Sequence, residues 1–122
     1  MAMLYAGCPS IRFFIYFCIM EKNDILSSIK SQILLVAPGA KVMLFGSRAY
    51  GTPTEESDWD ILILTPQPVN PALKRNIHDT LFPISLKIAA FINTITVQEN
   101  EWHKNPSYYS LYQSVAGRMV VL

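Results

Sequence analysis

At 122 residues, with 51% hydrophobic and 16% charged side chains, the chain has enough apolar mass for one packed domain and too much for a disordered polymer. A formal net charge of +1 argues against a nucleic-acid scaffold, which would carry a basic surplus to neutralise phosphates. The two cysteines, Cys8 and Cys18, match no zinc-ligand spacing and read as reduced thiols of a cytoplasmic protein.

The chain opens with an apolar run at 13–20 that is too short to cross a bilayer. The first eleven residues contain no Lys or Arg, so the run lacks the basic flank of a secretory signal. No membrane role is expected. Residues 1–19 are expected to be an extension the fold does not need, and residues 20–122 to form the domain. Asn23 and Asp24 are N-terminal helix signals, and Ile25, Ile29 and Ile33 recur at helical spacing until Pro38-Gly39. VMLF at 42–45 reads as a buried strand ending at Gly46, and GTPTEES at 51–57 as a turn. DILIL at 60–64 is apolar on both faces and so belongs in the centre of a sheet.

Asn70-Pro71 caps a second helix with the stripe Leu73, Ile77 and Leu81, and Pro83 is expected to end it. The β-branched stretch 84–97 reads as a long third strand, bulged near Ala89-Ala90. Asn105-Pro106 caps a last helix with the face Tyr108, Leu111, Tyr112 and Val115. Gly117 closes it, and residues 119–122 add a short edge strand. This order predicts an α/β (α+β) fold, a small mixed β-sheet flanked by helices.

The chemistry is concentrated in LFGSRAYGTPTEESDWDILIL at 44–64. Residues two apart on a strand point the same way, so Asp58 and Asp60 project from one face and Trp59 from the other. Two carboxylates held together repel, and a hard divalent cation relieves them. Gly46 permits close approach at a strand end. Ser47 then begins a turn whose amides and hydroxyl suit phosphate, and Arg48 adds a fixed positive charge. Each half alone has a plainer explanation, a turn for Gly46-Ser47 and solvated charge for Asp58 and Asp60. Their joint attachment to two buried strands is what favours a site.

The segment resembles the minimal nucleotidyltransferases of the DNA polymerase β-like superfamily. Their signature is Gly-Ser, ten residues, then Asp-x-Asp; here residues 48–57 supply the ten between Ser47 and Asp58. The resemblance runs from about residue 20 to the end of the chain. It implies that Gly46 and Ser47 hold a nucleoside triphosphate, beside which Arg48 is the further nucleotide-binding candidate, and that Asp58 and Asp60 are the catalytic, metal-binding acids for Mg2+. The implied reaction transfers a nucleoside monophosphate, AMP from ATP, to an acceptor hydroxyl. The core is close to bare, so the acceptor site is expected from a partner protein or a second subunit in a homo-oligomer. Among small relatives, toxin–antitoxin pairs imply a HEPN-type toxin as that partner.

One departure divides the readings. Active relatives supply a third carboxylate from the next strand, and residues 82–98 contain no Asp or Glu. Lys87 and Asn93 are the polar residues available there, and Asp79, Glu99 and Glu101 qualify only if the backbone brings them in. An active transferase and a catalytically degenerate nucleotide- or partner-binding module therefore both stand. His78 and His103 read as surface or cap residues. The cluster Trp102, Tyr108, Tyr109 and Tyr112 reads as core, with a partner-binding face as the alternative.

Overall fold

The computed structural model describes residues 21–51, 58–115 and 117–122. The expected extension at 1–19, both cysteines and most of the 51–57 turn lie outside these residues.

Helix α1 spans Lys22–Val36 and begins earlier than the Asn23-Asp24 signal suggested. Glu21 is the cap residue, and its carbonyl accepts from the Asp24 and Ile25 amides. Asp24 instead lies in the first turn, where its charge faces the positive end of the helix dipole. Ile25, Leu26, Ile29 and Ile33 are buried, as their spacing requires.

Strand β1 (Lys41–Phe45) pairs antiparallel with β2 (Trp59–Thr65), and β2 pairs parallel with β3 (Ile92–Gln98). A two-residue strand, β4 (Val120–Val121), adds antiparallel to the free side of β1. The sheet order is β3-β2-β1-β4, so the two most apolar strands are central. Its side chains alternate between two cores. Val42, Leu44, Trp59, Ile61 and Ile63 pack with α1 and with helix α3 (Pro71–Ile88). Met43, Leu62, Leu64 and Val97 pack on the opposite face against Trp102 and Val115.

The expected end of α3 at Pro83 and the long strand at 84–97 are both corrected. The helix runs through Pro83 to Ile88, and the strand begins only at Ile92. Pro83 lacks an amide to donate backwards, but the apolar stripe continues with Ile84 and Ile88 packed on the core. That burial outweighs one missing hydrogen bond. The bulge at Ala89-Ala90 is likewise a helix stop, since Ala89 is left-handed (φ 53°) and the Ala90 amide donates to Ser85 O. At the other end Asn70 Oδ1 accepts from the Leu73 amide at 2.8 Å, as expected of its cap role.

A short helix, α4 (Glu99–Lys104), follows β3 directly and was not anticipated. It carries buried Trp102 onto the second core. The Asn105-Pro106 cap starts a 3-10 turn at Pro106–Tyr108, which leads into α5 (Tyr109–Val115). Trp102 and Val115 are core, and Tyr108 and Leu111 pack on it, whereas Tyr109 and Tyr112 remain exposed. Among the described residues, no helix is long and apolar enough to cross a membrane.

Candidate active site

Where β1 ends, its chain turns sharply. Phe45 is the register partner of Asp60, so the residue after it arrives beside that carboxylate. Gly46 makes the turn with φ 77° and ψ −162°, a conformation essentially closed to other residues. A Cβ at this position would collide with Asp60 Oδ2. Ser47 then opens a single helical turn, α2 (Ser47–Tyr50), closed by Ala49 N to Gly46 O at 3.0 Å and Gly51 N to Ser47 O at 2.8 Å. Gly51 is also constrained, since a Cβ there would lie 2.8 Å from Ser47 Cα.

Asp58 immediately precedes β2 and Asp60 is its second residue, both with the parity of Leu62 and Leu64, on the sheet face covered further along by Trp102 and Val115. Their common direction is fixed by a third residue. Asn93 on β3 is the register partner of Asp60. Its Nδ2 donates to Asp58 Oδ2 at 2.9 Å and to Asp60 Oδ1 at 3.3 Å. Trp59 points to the opposite face and is buried there.

Arg48 is placed by that tryptophan. Its guanidinium carbon sits 4.2 Å from the centroid of the Trp59 ring, a cation–π contact. Burial lowers the Arg48 pKa from its ordinary value, and the Asp58 charge acts in the opposite direction. The group stays cationic, as guanidinium does in proteins. Lys22 Nζ donates to Arg48 O at 2.6 Å, which ties the turn to the start of α1. The Trp59 platform and the Lys22 tether both join distant segments, and local sequence gives no sign of either.

The other acids considered as a third carboxylate are not brought in. Glu99 pairs with Lys41 at the far end of the sheet, and Asp79 lies on α3 beside His78. Glu101 accepts from Asn105, beyond that same far end. Lys87 lines a groove between α1 and α3 with Ser27, Ser31 and Thr80. Of the polar residues weighed for that role, Asn93 alone reaches the paired aspartates. Among the described residues, no three His, Cys, Asp or Glu side chains converge as a metal cluster. His78 and His103 contact Phe82 and Tyr112, outside this site.

The mixed four-stranded sheet with its helices is consistent with a nucleotidyltransferase fold, and it brings the Gly46-Ser47 turn against Asp60 on the neighbouring strand. Residues 20–105 match the family described as nucleotidyltransferase domain, and the chain belongs to that family. Comparison with curated proteins gave no match. Nucleotidyl transfer is thus the general activity of the domain. The family generally uses Mg2+, and two carboxylates on one strand face are suitable oxygen donors for that ion.

Proposed function

We propose that the chain is a Mg2+-dependent nucleotidyltransferase that moves AMP from ATP to a hydroxyl on a partner protein. The observation that supports this most directly is the meeting of Gly46-Ser47 with Asp60 across the β1–β2 register. Gly46 and Ser47 would take the triphosphate at the turn, with Arg48 adding positive charge beside it. Asp58 and Asp60 would hold the ion, which when bound draws charge from the phosphate oxygens and stabilises the departing pyrophosphate.

The acceptor oxygen forms a bond to the α-phosphorus as the bond from that phosphorus to the β-phosphate oxygen breaks. Pyrophosphate leaves with that electron pair. The hydroxyl proton passes to water or to a base carried by the acceptor, because the third strand offers an amide at Asn93. A HEPN-type toxin is the class of partner proposed, and a second subunit is the other source of an acceptor site.

A second reading has its own observation. An amide opposite Asp60, in place of an acid, favours a module that binds nucleotide or partner without turnover. Incubation with α-labelled ATP, Mg2+ and the product of the adjacent gene separates the two. Label transfer that is lost in Asp58→Ala supports the transferase. Mg2+-dependent ATP binding with no transfer supports the module, and absence of ATP binding sinks the transferase and leaves only the partner-binding form of the module.

A further inference from the structure

Two carboxylates on one strand face repel each other, and the repulsion has to be met by something in the protein before any ion arrives. The Arg48 charge acts on Asp58, and its guanidinium lies over the face of Trp59. Among the described residues, the Asn93 amide bonds to both acids, once to each. An amide nitrogen carries two hydrogens, so a single Asn93 can satisfy one oxygen of Asp58 and one of Asp60 together.

The parallel pairing of β2 and β3 makes this a built arrangement. Asp60 and Asn93 are direct partners in a register that continues through Ile61–Thr94 and Leu62–Ile95. Slipping it by one residue would turn Ile95 and Val97 out of the core that contains Leu62 and Leu64. Burial further along the strands therefore aims the amide at the acids. A carboxylate at the same position would add negative charge and require a cation; the amide donates and requires none.

We propose that Asn93 is a positioning residue that stands in for a cation between Asp58 and Asp60, so that a divalent ion entering the pair must displace its amide. This rests on the reading that the two aspartates hold the ion. Asn93 then lowers the affinity of the site for free divalent metal while keeping the acids paired in its absence. Loading becomes dependent on a nucleotide that brings its own phosphate oxygens.

The test uses Mn2+ titrated into the full chain without nucleotide, with free ion followed by electron paramagnetic resonance. Asn93→Ala removes the competing donor and leaves both acids, so Mn2+ affinity should rise by about threefold or more. Asn93→Asp adds a ligand and should raise it by about tenfold or more. Asn93→Ser, with a shorter donor, serves if the alanine variant fails to fold, and should tighten binding by a smaller factor. Unchanged or weaker binding in Asn93→Ala, or in Asn93→Ser as its substitute, overturns the proposal, because an asparagine that ligates or merely packs gives that result. Asp60→Asn is the control for the underlying reading. If it leaves Mn2+ affinity as in the wild type, the ion is not held by the pair and both ideas fail. If it weakens binding while Asn93→Ala does not tighten it, only the role of Asn93 falls.

Discussion

Gly46 and Asp60 occupy space that admits no third group: a methyl on the glycine would overlap the carboxylate oxygen of the aspartate. The turn that would carry the triphosphate and the strand that carries the acids are thus packed at a contact only glycine allows. Gly46→Ala combines this collision with a forbidden backbone conformation, at a cost of about 1–3 kcal/mol. In a domain of this size the melting temperature should fall by roughly 5 °C or more. The carboxylate must also move, so Mg·ATP affinity should drop by about tenfold or more, measured by calorimetry on the folded variant. Unaltered affinity would show that Asp60 is not part of the nucleotide site.

Arg48 and Trp59 couple the turn to the strand on the opposite face of the sheet. Arg48→Ala uncovers the indole, which is otherwise 3% exposed. The expected result is a red-shifted tryptophan emission and a loss of about 0.5–2 kcal/mol in denaturant unfolding. Trp102 is buried in the other core and supplies a constant background. Arg48→Lys should recover part of the stability and less of the fluorescence, since a point charge covers the ring less completely.

Pro83 lies inside α3, where it cannot donate to the carbonyl of the preceding turn. Pro83→Ala supplies that donor in a helix already held by Ile77, Leu81, Ile84 and Ile88. Stability should rise by about 1 kcal/mol or more, seen as a higher midpoint in urea, with part of the gain offset by a freer unfolded chain. A lower midpoint would mean that proline packing beside Thr80 and Ile84 matters more than the hydrogen bond.

The same proline marks the boundary of what the sequence can reveal. The central strands, the cap at Asn70 and the convergence of Gly46 with the paired acids were legible. The first two follow from local chemistry or from a period of two, and the third from the spacing of the joined motif and the family it resembles. The extension of α3 was not, because a helix breaker and β-branched residues pointed locally to a strand. The stripe through Ile84 and Ile88 prevailed only once the sheet was there to receive it. Helix α4 was missed for a related reason: ENEWHK has one large apolar residue, and only the buried position of Trp102 explains the turn. Asn93 could be named as a candidate, but its register opposite Asp60 is a tertiary fact.

Trp102 offers a way to separate stability from site chemistry. It packs with Met43, Leu62, Leu64, Val97 and Val115, beyond the end of β3 remote from Asn93. The five residue steps from Asn93 to Gln98 span roughly 16 Å of extended strand, so α4 and the paired acids lie at opposite ends of the sheet. Trp102→Ala should therefore cost about 3–5 kcal/mol in unfolding free energy. Well below the lowered melting temperature, its Mg·ATP affinity should stay within about twofold of the wild type, because distant sites act independently. Gly46→Ala should show the reverse ratio, a smaller stability loss and a larger affinity loss. If Trp102→Ala weakens nucleotide binding as strongly as Gly46→Ala does, the aromatic face and the acidic pair are mechanically linked, and the acids are not positioned by the β1–β2–β3 register alone.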